Sequence, residues 1–272
     1  MTRIAMLQMT SGIDPDDNAR SISDAVREAG DAGAEMLFTP EMSGLLDSDR
    51  QRAGANIRVE AETSALDAAR NAAAKAGIWV ALGSLAIDTG EGRWANRAFV
   101  IAPDGSIAAR CDKIHMFDVD LSTGESWRES NAYVAGNEVV TVEGTPLGRL
   151  GLTVCYDIRF PALFEALAQR RCDAIAVPAA FTVPTGEAHW HVLQRARAIE
   201  ASAFVVAAAQ VGEHADGRRT YGHSLVVDPW GEVMLDMGDK QAGLAFVDLD
   251  MGRIAEVRRQ VPSLENRRQI PS

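Results

Sequence analysis

Leu150-Gly-Leu-Thr-Val-Cys-Tyr-Asp-Ile-Arg-Phe-Pro161 joins an apolar run to a cysteine and then to a proline that suits the first position of a helix. It reads as a buried strand from Leu150 to Val154 ending at Cys155, a sharp turn, and a helix from Pro161 to Arg170. Strand, tight turn and helix in that order are the unit of α/β folds, which carry reactive groups where strands leave the sheet. A thiol at position 155 can face a cleft there. The turn's backbone N–H groups, from Tyr156 and Asp157, point toward the sulfur's surroundings and suit a thiolate or a developing oxyanion. Taken alone, a cysteine in this place is more readily a small hydrophobe packed in the core.

The same alternation extends upstream. Arg3 to Met9 suits a strand, and Asp14-Pro15 opens a helix that Gly30 closes. Glu35 to Phe38 is a short strand stopped by Pro40, and the alanine-rich stretch Glu62 to Ala76 is a helix ended by Gly77. Trp79 to Ile87 and Trp94 to Ala102 are neighbouring strands, and the turn Pro103-Asp104-Gly105 leads back along Ile107 to Cys111. Downstream, the strand Ala174 to Val177 runs into a loop from Pro178 to Glu187, a helix from His189 to Ser202 and a strand from Phe204 to Ala209. Ser224 to Val227, the turn Asp228-Pro-Trp-Gly231, Val233 to Asp236 and Gly243 to Val247 make an antiparallel run before a polar C-terminal helix. Two βα series joined by antiparallel hairpins predict a single α/β domain over residues 1–272, built as a four-layer α-β-β-α sandwich. A doubly wound single sheet is the alternative, because periodicity does not say whether the late strands extend one sheet or make a second.

Composition agrees with one large globular unit: 272 residues, of which 47% are hydrophobic and 24% charged. With 27 Lys and Arg against 38 Asp and Glu, the net charge of −11 disfavours nucleic acid and anionic membrane as partners. The N-terminus Met1-Thr-Arg-Ile-Ala-Met-Leu-Gln-Met-Thr10 lacks the basic start and apolar core of a secretory signal, so a cytoplasmic protein is expected. No run approaches the roughly 18 apolar residues of a membrane span. Cys111, Cys155 and Cys172 are spaced too unevenly for a disulfide framework or a paired-cysteine zinc site.

Glu41 follows the strand ending at Phe38, again where a chain leaves a sheet, and a half-buried carboxylate there can serve as a general base. An exposed or helix-capping glutamate is the alternative. Lys113 sits just past a hairpin, and only a site that holds an anion would give it a role beyond surface charge.

Together, Phe38-Thr-Pro-Glu41, Asp112-Lys113-Ile-His115 and Cys155-Tyr-Asp-Ile-Arg-Phe-Pro161 resemble the three catalytic motifs of the nitrilase, or carbon–nitrogen hydrolase, superfamily, in the same order along the chain. The resemblance implies Cys155 as nucleophile, Glu41 as general base and acid, and Lys113 as the cation that stabilises the oxyanion. It also implies a second glutamate, for which Glu129 in Trp127-Arg-Glu-Ser-Asn131 is the match and Glu125 the nearby competitor. No metal or organic cofactor is required by such a set, and the sequence offers no His/Cys cluster or phosphate-binding loop. Because these side chains act on protons and charge, losing Glu41 or Lys113 is expected to reduce turnover strongly and leave the fold intact.

Further segments narrow the branch. Ala180-Phe-Thr-Val-Pro-Thr-Gly-Glu-Ala-His-Trp190, Gln194-Arg-Ala-Arg-Ala-Ile-Glu200 and Tyr221-Gly-His-Ser-Leu-Val-Val-Asp-Pro-Trp-Gly231 are similar to the branch that holds deaminated-glutathione amidase and the ω-amidases. The implied reaction releases ammonia from a small carboxylate-bearing amide through a thioester. An N-carbamoyl amino-acid hydrolase, a nitrilase, or a catalytically silent binding relative are the alternatives. Arg159, four residues past the nucleophile, is a candidate fork for the substrate carboxylate or the partner of an ion pair with Asp157. Phe181 and Thr185 are candidates for contacting the acyl chain, with Tyr156 beside them. His115, His189, His191 and His223 show no ligand spacing in sequence and are read as packing residues, as are Cys111 and Cys172. The family resemblance implies a homodimer or larger homo-oligomer.

Overall fold

The computed structural model describes residues 1–122 and 124–268. Two separate sheets decide between the alternatives that periodicity left open. The first joins β1 (Thr2–Gln8), β2 (Met36–Phe38), β3 (Trp79–Asp88), β4 (Trp94–Ile101) and β5 (Ile107–Asp112) in sequence order. The second holds β6 (Thr141–Thr145), β7 (Gly148–Leu152), β8 (Ala174–Ala176), β9 (Phe204–Ala207), β10 (Leu225–Val227) and β11 (Val233–Asp236), hydrogen-bonded in the reverse of that order. The last strand, β12 (Gly243–Leu249), returns to the first sheet and pairs antiparallel with β1 from Thr2–Leu249 to Gln8–Gly243. The late strands thus divide between the sheets.

The helices cover the outer faces. α1 (Pro15–Asp31) and α3 (Ser64–Ala76) lie on the first sheet, α4 (Pro161–Gln169) and α5 (Val183–Ala201) on the second. Alternation along the strands sorts the core into two slabs. Ala5, Leu7, Leu37, Val80, Leu82, Phe99 and Ile101 pack under α1 and α3. Their neighbours Ile4, Met6, Met36, Phe38, Ala81 and Val100 turn the other way, toward Leu150, Leu152, Ala174 and Ala176 of the second sheet. β1, β2 and β3 are consequently buried on both faces. This is the four-layer α-β-β-α sandwich.

Several boundaries differ from the sequence expectation. The strand before Cys155 ends at Leu152, and Cys155–Arg159 form a single 3-10 turn before α4 begins at Pro161. Pro184 sits in the first turn of α5, so that helix starts at Val183 and the loop expected to run to Glu187 stops at Thr182. Thr185 is on the helix as a result. The short helix α2 (Arg50–Asn56), the hairpin pairing Asp118–Asp120 with Ser126–Arg128, and the hairpin pairing Val211–Glu213 with Arg219–Tyr221 were not apparent from periodicity. The C-terminal helix is α6 (Gly252–Gln260). Among the described residues, no helix is long and apolar enough to cross a membrane.

One irregularity in β3 positions the loop that carries Glu41. The register with β4 slips between Leu82 and Leu85, and the loop leaving β2 lies against the slip. Gly83 N–H donates to Thr39 Oγ1 at 3.0 Å, Met42 N–H to Ser84 Oγ at 3.0 Å, and Ser43 N–H to the Ser84 carbonyl at 3.0 Å. A Cβ at position 83 would stand 2.1 Å from the Thr39 carbonyl oxygen and 2.4 Å from that of Pro40, so only glycine fits. Gly83→Ala should destabilise by about 3 kcal/mol, lowering the melting temperature by roughly 6–12 °C. Circular dichroism melting checks this; an unchanged midpoint would mean that the loop does not lie against β3 as described.

Candidate active site

Glu41, Asn96, Lys113, Glu129 and Cys155 come from five separate segments and meet below the surface. Glu41 is 4% exposed, Lys113 2% and Cys155 6%, which excludes the surface-charge reading of the first two. The Lys113 ammonium lies between two carboxylates, 3.0 Å from Glu41 Oε1 and 2.8 Å from Glu129 Oε2. Asn96 Nδ2 ties the same two groups together, donating to Glu41 Oε1 at 2.9 Å and to Glu129 Oε1 at 3.0 Å. Backbone donors complete them: Ala180 N–H to Glu41 Oε2 at 2.9 Å and Phe117 N–H to Glu129 Oε2 at 2.7 Å. Glu125, the competitor of Glu129, is exposed in the tip of the 118–128 hairpin. Asn96 was missed in sequence, although a polar residue inside the apolar strand Trp94–Ile101 requires a partner and was in that sense a signal.

Cys155 has φ +48°, left-handed backbone that a residue with a Cβ adopts only when its surroundings impose it. Its N–H donates to the Pro178 carbonyl at 2.8 Å. The turn behind it is held by Asp157, whose carboxylate accepts from Val154 N–H at 2.9 Å and from His115 N–H at 2.9 Å, with His115 Nδ1 at 2.7 Å. Asp157 therefore pairs with His115 and not with Arg159. Because His115 is two residues past Lys113, this clamp fixes the Lys113 loop against the Cys155 turn. The His115 ring also stacks on Phe160 at 3.5 Å.

The electrostatics set a resting state. Burial pushes the Glu41 carboxyl up, but the Lys113 charge and the hydrogen bonds from Cys155, Lys113 and Asn96 outweigh it and hold the group below its ordinary value. Burial would neutralise Lys113, yet Glu129 and Glu41 keep it cationic and raise it well above the usual lysine range. Burial and then the Glu41 charge push the Cys155 thiol up, against the opposing pull of Lys113. The free site thus holds a neutral thiol against a carboxylate beside a fixed ammonium. In this state the proton stays on sulfur and not on Glu41.

These groups open into a cavity of about 360 Å³, the size of a small-molecule site. Glu41, Lys113, Glu129, Cys155, Tyr156, Phe181 and Thr185 all line it. Tyr156 meets Phe117 edge-on at 5.1 Å, Phe181 packs on Trp190 at 4.8 Å, and Thr185 Oγ1 shares a hydrogen bond with Thr182 Oγ1 at 2.8 Å. Arg159 is not among the lining residues. Its guanidinium lies over the Tyr156 and Phe181 rings, 5.7 and 5.2 Å from their centroids, with His189 Nδ1 at 3.2 Å. His191 and His223, which show no ligand spacing in sequence, converge on Asp236, with donor atoms within 4.8 Å of one another. Both rings hydrogen-bond that carboxylate, at 3.0 and 2.8 Å, outside the residues that line the cavity.

Thiol, carboxylate and lysine in this arrangement accord with the likeness of the whole chain to known proteins. The chain belongs to the carbon–nitrogen hydrolase family, whose model matches residues 3–259, and it is a hydrolase of carbon–nitrogen bonds other than peptide bonds. It is 38% identical over 272 residues to the deaminated glutathione amidase of Yersinia enterocolitica, covering 99% of this chain and 94% of that one. Among solved structures it resembles the C. elegans NitFhit protein, with 36% identity and a TM-score of 0.89; the match covers 98% of this chain and 65% of that protein. A second resemblance, at 27% identity and a TM-score of 0.82 over 98% of this chain and 94% of the other, is to a glutamate-to-glutamine variant of the amidase from Nesterenkonia sp. AN1. There the acetamide moiety of fluoroacetamide is joined to the active-site cysteine.

Burial revises one expectation. Glu41→Gln and Lys113→Ala should each lower kcat on the order of a hundredfold or more, but Lys113→Ala also strips two buried carboxylates of their cation. It should cost about 3–5 kcal/mol, lowering the melting temperature by roughly 10 °C, while Glu41→Gln keeps most hydrogen bonds and melts closer to wild type. Steady-state rates with parallel melting curves test both, and near wild-type kcat in either variant would remove that residue from the catalytic set. The pH profile follows from the same charges: with Glu41 held below its ordinary value of 4.5, the acid limb of kcat/KM should fall below pH 4.5. A limb centred near neutrality would show Glu41 protonated in the free enzyme.

Proposed function

We propose that this enzyme hydrolyses a small amide bearing a free carboxylate, such as deaminated glutathione or an α-keto acid monoamide, through a thioester on Cys155. The observation that carries the chemistry is the burial of the Cys155 thiol and the Glu41 carboxylate in one cavity, with the Lys113 ammonium 3.0 Å from that carboxylate. The substrate class rests on the likeness to deaminated glutathione amidases over nearly the whole chain.

As the sulfur bonds to the amide carbon, its proton passes to Glu41 and the carbonyl electrons go to oxygen, where Lys113 Nζ stabilises the negative charge. Collapse of that intermediate breaks the C–N bond, and Glu41 returns the proton to the departing ammonia or amine. Water then adds to the thioester as Glu41 takes its proton, and the thiol leaves reprotonated. Glu129 and Asn96 hold the Lys113 ammonium and the Glu41 carboxylate in place through both steps. Tyr156, Phe181 and Thr185 bound the acyl portion, and Arg159 braces the first two through their rings.

Two further features belong to this reading. The cysteines Cys111, Cys155 and Cys172 are all unpaired and buried, which suits a reducing cytoplasm. Val192 and Ile199 on α5 are exposed beside Trp230, Val233 and Met234, with the Arg195 guanidinium donating to the Gly231 carbonyl at 2.7 Å between them. That apolar face supports a homodimer.

Exposed to an amide that acylates the wild type, Cys155→Ala should show no adduct by intact-mass spectrometry and no amine release. An adduct on Cys111 or Cys172 would overturn the assignment of the nucleophile, and carbon dioxide appearing with ammonia would replace the amide by an N-carbamoyl substrate.

A further inference from the structure

His191, His223 and Asp236 come from three separate segments: α5, the turn that enters β10, and the last position of β11. The His191 ring holds Nε2 at 3.0 Å from Asp236 Oδ2, and the His223 ring holds Nδ1 at 2.8 Å from Oδ1 and 3.1 Å from Oδ2. Two imidazoles thus share one carboxylate. Among the described residues they are its only ion-pair partners.

Several contacts hold the rings in place. Gly186 leaves α5 open to Tyr221, since a Cβ there would stand 2.2 Å from Tyr221 Cγ. The Tyr221 ring lies on that of His223 at 4.4 Å and meets His191 edge-on at 6.2 Å. His223 is left-handed, with φ +54°, and its backbone is fixed on both sides. Its N–H donates to the Gly238 carbonyl at 2.8 Å, and its carbonyl accepts from Trp190 Nε1 at 2.8 Å. Because Trp190 precedes His191, that last bond ties the two histidine segments together. Gly238 N–H in turn donates to Asp236 Oδ1 at 2.9 Å. Packing explains where the rings sit, but it does not require both to aim a nitrogen at the same acid.

Two imidazoles and a carboxylate are a donor set that zinc and neighbouring divalent transition ions take, with a fourth position left for water. Ligands about 2.0–2.1 Å from a tetrahedral ion stand roughly 3.3 Å apart. The ring-to-carboxylate distances here fall just inside that separation, and all three donor atoms lie within 4.8 Å of one another. An ion can also reach them: the side chains of His191, His223 and Asp236 are 34%, 19% and 32% exposed. Partial burial pushes the Asp236 carboxyl up, but hydrogen bonds from His191, Gly238 N–H and His223 outweigh it and hold the group below its ordinary value, as an anion. Each imidazole would bind through the nitrogen that now faces Asp236, as a neutral ring protonated on its other nitrogen, so that two hydrogen bonds are exchanged for two metal bonds.

We propose that His191 Nε2, His223 Nδ1 and a carboxylate oxygen of Asp236 bind one divalent transition-metal ion such as zinc, outside the cavity of Cys155. The ion clips α5 to the turn before β10 and to the end of β11. That helix carries Thr185 at the cavity and Val192 and Ile199 on the exposed apolar face, so the clip steadies both. The site is independent of which amide the cavity accepts.

Calorimetric titration with zinc chloride tests it, on tag-free protein stripped by a chelator and carrying Cys155→Ala to remove a competing thiol. One ion per chain is expected. In that background His191→Ala, His223→Gln and Asp236→Asn should each weaken binding by about 100-fold or more, whereas His189→Ala, outside the set, should bind as its parent does. At about 100 times Kd, zinc should raise the melting temperature by roughly 5–10 °C and leave that of His191→Ala unchanged. Circular dichroism checks that each variant is folded, and His191→Ala, at a partly exposed position of α5, keeps the test open if a change at His223 unfolds the turn. Binding no tighter than millimolar, one ion per two chains, undiminished binding in His191→Ala, or a loss in His189→Ala of the same size would each overturn the proposal.

Discussion

Lys113 is a cation with almost no access to water, and the molecule around it is arranged to make that tolerable. An ammonium taken out of solvent alone would shed its proton, whereas flanked by Glu41 and Glu129 it keeps it. The two carboxylates could not lie so near each other without the lysine, and Asn96 supplies a shared donor to both. Removing Lys113 leaves two carboxylates buried and uncompensated, whereas losing one glutamate leaves the ammonium paired with the other. The same burial lowers the local dielectric and strengthens the pull of the ammonium on any negative charge placed beside it.

The cluster exists because backbone irregularities occur at particular places. β3 slips register at Gly83, and the loop carrying Glu41 settles onto the slip, held by Gly83 and Ser84. The chain turns left-handed at Cys155, lifting the thiol out of the strand direction into the cleft. Asp157 then ties that turn to the loop of Lys113 through His115. Each device spans elements far apart in the chain, so the relative position of thiol, carboxylate and ammonium is set by the sandwich and not by any one loop.

Much of this was legible beforehand, for identifiable reasons. The strands of both sheets alternate or run apolar over enough residues to show, and α1 announces itself with Asp14 as cap and Pro15 in its first turn. Glu41, Lys113 and Cys155 stood out through resemblance, since as isolated residues each had an ordinary structural alternative. Short elements were not legible: α2 and the two hairpins over the pocket have too few residues for periodicity to declare them. The early start of α5 was masked by reading Pro184 as a loop residue when it opens a helix.

The sequence by itself determined the layered α/β class and the βα units, because local propensity and pattern are properties of neighbours in the chain, and it pointed to the residues with the right chemistry through the resemblance of their motifs. Tertiary structure decided that the late strands divide between two sheets, that Lys113 is buried between two glutamates, and that Asn96 joins them. It also laid the Arg159 guanidinium over the rings of Tyr156 and Phe181. The physical reason is common to all of these. Burial, ion pairing and the absence of a hydrogen-bond partner depend on residues that meet across tens of positions of chain, and no window of sequence contains both sides of such a contact.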